Sequence, residues 1–477
     1  MKSGSRKEKI KFGTSGWRGI ISKDFTVKNL AITVQAIAIY LKKSGVDTKK
    51  GVIVGYDTRF MSDRFAAIAA GILRNNRIPV LLTNRDTPTP AIAFQILRRH
   101  TAGAINITAS HNPAEYNGIK FSPAYGGPAS STETREIEKE ANKLLKKDIT
   151  PEYQFDKHNI KTFDPRPAYL KHISSIVNLD LIRKSRIKLA IDCLYGTSRG
   201  YLDYILNENN IPTITINDNL NPNFAGHGPN PEPEYLHDLK NIVMQNKTRL
   251  GLATDGDGDR FGILDSNGRY ISPNYILPLI LEHLLRTRSH KGGIVRSITT
   301  THLLDAIAKH FGRRIYEVPV GFKYVGAALT KNNALMGGEE SGGMTIFNHI
   351  PDKDGILACL LVAELTAVGK KSLTQLLADL RKRYGDFFSR RTDIKLKPEN
   401  MGTILTRLKN KPAAALAGIT ISRYQALPGK NFKIELSEGS WIIIRPSGTE
   451  PILRCYLETT ALKNIPRLER AIRNLVS

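Results

Sequence analysis

The sequence predicts an α/β protein with three similar α/β domains, whose sheets are mixed but mostly parallel, and a smaller C-terminal α+β domain around a central cleft. Strands alternate with helices at the spacing of βαβ units, and this plan occurs three times before the alternation changes near Gly385. A chain of 477 residues is also too long for a single hydrophobic core, since domains average roughly 100–200 residues. We therefore expect domains at 1–160, 161–268, 269–386 and 387–477.

The first unit is predicted from its periodicity. Apolar residues at helical spacing from Val27 to Leu41 predict a helix that Gly45 ends, and Ser130 with Glu133 forms a capping box for another. Further helices are expected at about 63–76 and up to about His100. The predicted strands are Val52–Tyr56, Ile78–Leu82 and Gly103–Ile107. The polar, proline-containing stretch Lys146–Pro167 is predicted to be a linker.

The later units repeat the plan. The predicted helices end near Asn209 and Gln245 or cover Pro273–Arg288 and Leu303–His310. The predicted strands are Lys188–Leu194, Thr213–Ile216, Leu250–Ala253, Ile294–Ser297 and Ile315–Val320, followed beyond Gly385 by Phe432–Leu436 and Trp441–Ile444.

Unusual polar loops follow predicted strands in each unit: Thr108–Pro113, Asp255–Arg260, Gly338–Gly343 and Arg445–Glu450. Open α/β sheets bind ligands at the carboxyl ends of their strands. Four such loops predict one shared cleft.

The acidic loop places Asp255, Asp257 and Asp259 directly after a buried strand, with glycines between them that permit a tight turn. Three converging carboxylates repel one another unless a cation lies between them, and a hard divalent ion is the natural ligand. Arg260 adds a positive charge beside this site. An EF-hand is excluded, because its sixth and twelfth positions would be Arg260 and Ser266.

Ser110 is the candidate for carrying a phosphoryl group, because a phosphoserine would complete the coordination of a metal at the acidic loop. A Ser-His hydrolase is disfavoured, since the adjacent side chains of Ser110 and His111 are expected to point apart and no G-x-S-x-G elbow is present. We expect the pKa of Lys120 to fall beside the metal and Arg260, which would allow it to act as general base or acid. His111 competes for that role.

The remaining two loops suit a sugar phosphate. Arg445, Ser447, Gly448 and Thr449 combine a guanidinium, two hydroxyls and a glycine turn that can cradle an anion, although a purely structural turn stays open. Glu339 and Ser341 suit sugar hydroxyls, although the glycines around them could mark only a tight turn.

Composition limits the class of protein. The three cysteines, at 193, 359 and 455, are far apart and form neither a zinc motif nor a disulfide framework, which suits a cytoplasmic location. The basic N-terminus lacks the apolar region of a secretory signal, and the longest apolar run is too short to span a membrane. The net charge of +26 would fit a basic nucleic-acid-binding protein, but the charges are scattered and no nucleic-acid-binding motif is present. Nucleic acid is therefore not expected as the main partner. A phosphorylated metabolite is expected instead.

Together these motifs resemble the α-D-phosphohexomutase family of phosphoglucomutases, phosphomannomutases and phosphoglucosamine mutases. The resemblance runs from FGTSGWRG at 12–19, through TASHNP, DGDGDR and GEESGG, to RPSGTEP at 445–451. It implies interconversion of hexose 1-phosphates and 6-phosphates through phosphorylated Ser110 and a hexose 1,6-bisphosphate, with Mg²⁺ bound by Asp255, Asp257, Asp259 and the serine phosphate. Glucose 1,6-bisphosphate would then be both activator and intermediate.

The resemblance also implies individual roles. Arg18 and Lys120 match residues beside the phosphoserine, and Glu339 with Ser341 matches the sugar-recognition pair. The match to the distal phosphate clamp consists of Arg445, Ser447, Gly448 and Thr449. Gly321, Phe322 and Lys323 occupy the second loop of domain three, where some dual glucose/mannose enzymes carry Gly-His.

Substrate preference is expected to lean toward glucose phosphate, with mannose phosphate as a second substrate. Some dual glucose/mannose enzymes carry a histidine where this chain has Gly343, and phosphoglucosamine mutases typically have Asp where it has Ser15. Phosphomannomutase and phosphoglucosamine mutase activities stay open as alternatives, as does the choice between monomer and homodimer.

Overall fold

The computed structural model describes residues 9–13, 15–153, 160–397, 399–410, 414–447 and 452–476. The chain forms two compact units. The larger lies within Met1–Ser297 and Arg314–Thr374, and the smaller comprises Ile298–Arg313 and Gln375–Ser477. In the described part of the chain, the larger unit carries three sheets and the smaller unit carries a fourth.

The first sheet has the strand order β1-β5-β4-β2-β3-β6. Its strands are β1 (Trp17–Ile20), β2 (Val52–Tyr56), β3 (Val80–Thr83), β4 (Gly103–Ile107), β5 (Tyr116–Pro123) and β6 (Thr162–Phe163), and the helices along this segment are α1 (Val27–Lys43), α2 (Ser62–Asn75), α3 (Thr89–Arg99) and α4 (Ser131–Lys146). Strands β4, β2, β3 and β6 are parallel to one another, whereas β5 and β1 run antiparallel to their neighbours. The expected capping box is confirmed, because Ser130 Oγ accepts from the Glu133 amide while the Glu133 carboxylate accepts from the Ser130 amide.

The prediction that Lys146–Pro167 is a linker is wrong in part. Its residues 162–163 form β6, which pairs with β3 and extends the first sheet. A helix then begins at Arg166, inside the predicted linker. Prolines and polar residues suggested irregular chain, but Pro165 and Pro167 occupy the start of that helix, where a missing amide costs no hydrogen bond. Residues 154–159 lie outside the described part.

The second sheet has the order β11-β10-β9-β7-β8. Its strands are β7 (Leu189–Asp192), β8 (Thr213–Ile216), β9 (Leu250–Thr254), β10 (Phe261–Asp265) and β11 (Tyr270–Ile271), and its helices are α5 (Arg166–Ile176), α6 (Leu179–Ser185), α7 (Leu202–Glu208) and α8 (His237–Asn246). The pairs β8–β7 and β7–β9 are parallel, whereas β10 and β11 are antiparallel to their neighbours.

The third sheet has the order β13-β12-β14-β15. Its strands are β12 (Ile294–Ser297), β13 (Ile315–Val318), β14 (Met336–Glu339) and β15 (Gly343–Ile346); the helices along this segment are α9 (Pro273–Thr287), α10 (Leu303–His310), α11 (Phe322–Lys331) and α12 (Gly355–Gly369), of which α10 belongs to the smaller unit. Helix α12 packs against α6, α9 and strands of the second and third sheets, so that Gly355–Ala367 is buried throughout.

One supersecondary motif recurs in these three sheets. A strand of the parallel set ends in a short polar loop, and the chain returns as an antiparallel neighbour: β4 to β5, β9 to β10, and β14 to β15. The three predicted site loops of the larger unit are these hairpin connections. Each loop therefore lies at the carboxyl end of a parallel strand, as the sequence predicted.

The smaller unit contains a six-stranded sheet in the order β16-β21-β20-β19-β18-β17, in which all neighbouring strands are antiparallel. Its elements are α13 (Leu373–Tyr384), β16 (Phe388–Lys395), α14 (Asn400–Lys409), β17 (Ala415–Leu416), β18 (Ile419–Leu427), β19 (Asn431–Leu436), β20 (Trp441–Pro446), β21 (Ile452–Thr459) and α15 (Ile465–Val476). Three mixed sheets followed by this antiparallel α+β unit confirm the predicted fold class. None of the described helices is long and apolar enough to cross a membrane.

Candidate active site

Ser110 lies in the loop between β4 and β5 and is buried, with 1% of its surface exposed. Its backbone has a φ of 55°, in the left-handed region that non-glycine residues seldom adopt. Its hydroxyl donates a hydrogen bond to Asp255 Oδ2 at 2.7 Å, although the two residues belong to different sheets. The loop therefore presents the Ser110 hydroxyl directly to the acidic loop.

The expectation that the side chains of Ser110 and His111 point apart is wrong. Ser110 Oγ lies 3.3 Å from His111 Nδ1. Neighbouring side chains diverge in an extended strand, but the left-handed backbone at Ser110 turns the chain and brings both groups to the same side. Burial and the positive charges of Arg260 and Arg18 hold the pKa of His111 well below its usual value, so the imidazole is neutral.

The acidic loop brings Asp255, Asp257 and Asp259 together, with one oxygen of each lying within 4.8 Å of the others. All three residues are buried. The turn depends on Gly258, whose φ is 70°, and Asp255 Oδ1 closes it by accepting from the amides of Asp259 and Arg260. The predicted convergence of the three carboxylates, next to the Ser110 hydroxyl, is present in the structure.

Two buried ammonium groups balance part of this negative charge. Lys120 Nζ lies 2.5 Å from Asp257 Oδ2 and 2.9 Å from Asp259 Oδ2, while Lys353 Nζ lies 2.8 Å from Asp259 Oδ2. Burial favours the neutral form of Asp259, but Lys120 and Lys353 outweigh burial and hold the pKa of Asp259 well below its usual range. Burial and the two other carboxylates raise the pKa of Asp255.

The pKa of Lys120 was expected to fall beside a metal and Arg260, and the two carboxylates that Lys120 contacts act in the opposite direction. Burial does lower it, but the carboxylates of Asp257 and Asp259 raise it more, and the net pKa of Lys120 lies above its ordinary value. Lys120 is therefore a firmly charged ammonium. Arg260 was expected to help lower the pKa of Lys120. Its Nε lies 3.9 Å from Asp259 Oδ1, at the edge of the cluster.

The donor atoms of the acidic loop fit a divalent cation. Asp257 Oδ1 and Asp259 Oδ1 are buried and have no hydrogen-bond partner among the described residues. Carboxylate oxygens are the ligands that Mg²⁺ prefers, and a charged oxygen without a partner is costly to bury. The Asp triad therefore fits a magnesium site.

The sugar loop lies at the end of β14, where Glu339 is buried and Ser341 occupies the turn. Glu339 Oε1 accepts from the Gly321 amide at 2.7 Å, which joins the two loops of the third sheet. Burial and the neighbouring Glu340 raise the pKa of Glu339 to about 7. Gly342 O accepts from the Phe261 amide at 3.2 Å, so this loop also contacts the chain immediately after the acidic loop.

The structure also gives partners or positions for Arg18, Lys323, Arg445 and Ser447. Arg18 Nη1 donates to Asn112 Oδ1 at 2.5 Å, next to the Ser110 loop. The ammonium of Lys323 lies 5.4 Å from the ring centre of Tyr324. In the smaller unit, Arg445 is on β20, and the Ser447 amide donates to Ile452 O. Gly448 and Thr449 lie outside the described residues.

Three buried residues of the site were not found from the sequence. Arg59 donates to carbonyls of the Ser110 loop, Thr89 donates to Asp257 Oδ2 at 2.5 Å, and Lys353 contacts Asp259. For Arg59 a signal exists, because Asp57-Thr58-Arg59 is a polar loop directly after the predicted strand Val52–Tyr56. Thr89 and Lys353 reach the acidic loop only through the tertiary fold.

The fold and this site define a multidomain α/β enzyme in which a serine hydroxyl lies next to three aspartates that fit a divalent cation. Profiles of the four phosphoglucomutase/phosphomannomutase domains match in order: α/β/α domain I at residues 9–148, domain II at 167–268, domain III at 272–384 and the C-terminal domain at 405–475.

Curated relatives agree with these profiles. A probable phosphoglucosamine mutase of Methanothermobacter thermautotrophicus is 30% identical over 448 residues, which cover 94% of this chain and 93% of the relative. A phosphoglucomutase of Komagataeibacter xylinus is 28% identical, with 95% of this chain and 88% of the relative covered. The crystal structure of a candidate phosphomannomutase from Thermus thermophilus superposes with a TM-score of 0.83 at 30% identity, covering 98% and 99% of the two chains. The chain thus belongs to the α-D-phosphohexomutase family and is an enzyme of the isomerase class.

Proposed function

We propose that this protein is a phosphohexomutase that interconverts hexose 1-phosphate and hexose 6-phosphate through a phosphorylated Ser110. The observation that carries the proposal is the 2.7 Å hydrogen bond from the Ser110 hydroxyl to Asp255, within a cluster of three carboxylates that fits a divalent cation. A serine in this position can carry a phosphoryl group whose charge is balanced at the same site. We also propose the domain limits 1–160, 161–268, 269–386 and 387–477, which follow the alternation of strands and helices along the sequence.

Phosphoryl transfer from Ser110 replaces the phosphorus–Oγ bond by a bond to the free hydroxyl of the sugar phosphate. The proton that the sugar hydroxyl releases ends on Ser110 Oγ, so the step is balanced. Mg²⁺ bound by Asp255, Asp257, Asp259 and the serine phosphate would supply charge neutralisation to the phosphoryl group. The reverse transfer of the other phosphate then returns Ser110 to its phosphorylated form and releases the isomer.

The proton path is assigned to His111 in preference to Lys120. The His111 imidazole is neutral and lies 3.3 Å from Ser110 Oγ, so it can accept and return a proton. Lys120 is held as a cation by two carboxylates, which suits contact with phosphoryl oxygens better than proton abstraction. Arg18 and Arg260 add positive charge around the same loop.

The sugar and its second phosphate are assigned to the other loops. Glu339 and Ser341 would bind sugar hydroxyls, with Gly321 and Lys323 on the adjoining loop. The phosphate that is not being transferred would be bound by Arg445, Ser447, Gly448 and Thr449. Glucose 1,6-bisphosphate would be the intermediate that forms between the two transfers.

Glucose phosphate is proposed as the preferred substrate, with mannose phosphate as a second one. The names of the relatives divide among phosphoglucomutase, phosphomannomutase and phosphoglucosamine mutase, so they support the phosphohexose class but not one sugar. The support is Gly343 at the position where some dual-specificity enzymes have histidine, and Ser15 where glucosamine enzymes typically have Asp.

The test is a coupled assay with Mg²⁺ and a bisphosphate primer on glucose, mannose and glucosamine 1-phosphates, combined with intact mass measurement. We expect the wild type to carry one phosphoryl group that Ser110→Ala lacks, and the exposed-serine control Ser174→Ala to keep both phosphate and activity. A fully active wild type without phosphate on Ser110 would contradict the proposed mechanism.

A further inference from the structure

The side chain of Arg59 lies beneath the Ser110 loop and is buried, with 3% of the residue exposed. Its four terminal N–H groups all bond to main-chain carbonyls of this one loop. Nη2 donates to Ser110 O at 2.7 Å and to Asn112 O at 2.5 Å, and Nη1 donates to Pro113 O at 2.7 Å and to Tyr116 O at 2.9 Å. One guanidinium thus joins both ends of the loop.

This guanidinium is itself held in place. Its Nε lies 3.2 Å from Asp57 Oδ2, and its carbon atom Cζ lies 5.0 Å from the ring centre of Phe224. Asp57 is fixed in turn by the Arg59 amide and the Ser62 hydroxyl, both of which donate to Asp57 Oδ1. A planar, rigid donor fork in a fixed position restrains its acceptors more tightly than a flexible ammonium does.

The restraint acts on the backbone of Ser110, which adopts an uncommon conformation. Ser110 adopts a left-handed φ of 55°, a conformation that persists at functional sites only where the surroundings enforce it. Its amide donates to Thr108 Oγ1, its carbonyl accepts from Arg59, and its hydroxyl donates to Asp255. Of these three contacts, the one from Arg59 acts on the loop as a whole.

We propose that Arg59 is a positioning residue for phosphoryl transfer, which fixes the left-handed backbone of Ser110 so that its Oγ faces the acidic loop. The proposal rests on the proposed function of Ser110. Among the described residues, Arg59 makes no hydrogen bond or ion pair to Glu339 or to the acidic loop, although its charge acts on Asp257 and Asp255 through space. A substitution that keeps this charge should therefore impair the chemical step and leave sugar phosphate binding nearly unchanged.

The variant is Arg59→Lys, which keeps the positive charge opposite Asp57 but cannot span four carbonyls. We expect kcat to fall about 100-fold, as for a displacement near 1 Å of a reacting group, while KM changes less than threefold. The ³¹P resonance of the Ser110 phosphate should shift or broaden, because the phosphate loses its fixed orientation. The matched control is Arg288→Lys, since the Arg288 guanidinium also bonds a carbonyl (Ile176 O) and a buried carboxylate (Glu364), away from the Ser110 loop. We expect this control to lose thermal stability but keep kcat and the ³¹P resonance.

The outcomes separate two failures. If the wild type carries no phosphate on Ser110, the proposed function fails, whatever Arg59 does. If the wild type is phosphorylated and Arg59→Lys retains its kcat and its ³¹P resonance, with only a lower Tm, Arg59 is structural and the positioning role is overturned. A rise in KM with unchanged kcat would likewise overturn it.

Discussion

The side chain of Lys353 crosses the face of Gly343 on its way to Asp259. A Cβ at position 343 would lie 2.4 Å from Cδ and 2.7 Å from Cγ of Lys353, well inside van der Waals contact. The Lys353 ammonium then reaches Asp259 Oδ2 at 2.8 Å. Gly343 begins β15 and has an extended backbone, so the glycine is required here for space. The residue that set this chain apart in sequence is thus coupled to the charge of the acidic loop.

We expect Gly343→Ala to push Lys353 away from Asp259 and to destabilise the protein by about 1–3 kcal/mol, the usual cost of overpacking. The test is a double-mutant cycle with Lys353→Ala, followed by thermal unfolding of the four proteins. Because Lys353→Ala removes the atoms that clash, Gly343→Ala should cost much less in that background. Strictly additive effects would show that the two residues are independent.

Lys353 contacts Asp259 Oδ2, and the positive charge of its ammonium would repel a metal bound through Asp259 Oδ1. Lys353→Met keeps most of the side-chain volume but removes the ammonium, so the carboxylate loses a charged hydrogen bond of about 1.5–3 kcal/mol. We expect Mg²⁺ to bind at least roughly tenfold more tightly to this variant, measured by titration calorimetry without substrate. The exposed-lysine control Lys240→Met should bind Mg²⁺ like the wild type. Weaker binding by Lys353→Met would mean that the ammonium supports the metal.

The regular elements of the fold followed from periodicity. The strands Thr213–Ile216 and Ile294–Ser297 and the helix Leu303–His310 agree with the structure residue by residue. Helix α12 was missed, because its sequence GILACLLVAELTAVG is buried on almost every side and so shows no amphipathic period. The return strands β5, β10 and β15 were also missed, since each adjoins a polar loop that hides where the strand begins.

The sequence predicted those site residues that lie together in one short polar loop. Ser110 and the three aspartates stand in polar loops at strand ends, and their meeting follows from the topology. Lys353 could not be found in this way, because it lies in none of the predicted site loops and its contact with Asp259 depends on the space at Gly343. The two carboxylates that raise the pKa of Lys120 could likewise not be known before the fold.

Metal binding should stabilise the fold, because the charge of Asp255, Asp257 and Asp259 is only partly balanced by lysines. At a free Mg²⁺ concentration of 100 times Kd, we expect about 2.7 kcal/mol of added stability and a corresponding rise in Tm. Asp255→Asn should lose most of this rise, whereas the exposed control Asp180→Asn should keep it. Equal rises in the wild type and Asp255→Asn, measured by differential scanning fluorimetry, would place the stabilising ion elsewhere.

Glu339 should make the stability of the protein depend on pH. Burial and Glu340 raise its pKa from the ordinary 4.5 to about 7. A carboxyl group with a raised folded-state pKa contributes its full stabilisation below the unfolded pKa and loses it as pH rises through the folded pKa, so stability should fall between about pH 4.5 and pH 7. A shift from 4.5 to about 7 corresponds to about 3 kcal/mol, at 1.36 kcal/mol per unit.

The measurement for Glu339 is Tm at pH 5 and pH 8 for the wild type, Glu339→Gln and the exposed control Glu208→Gln. Glutamine preserves an oxygen that can accept from the Gly321 amide, but it does not titrate. The loss of Tm from pH 5 to pH 8 should therefore be smaller in Glu339→Gln than in the wild type, and unchanged in Glu208→Gln. Identical pH profiles for all three proteins would mean that Glu339 ionises as easily in the folded chain as in the unfolded one, which its burial against Glu340 argues against.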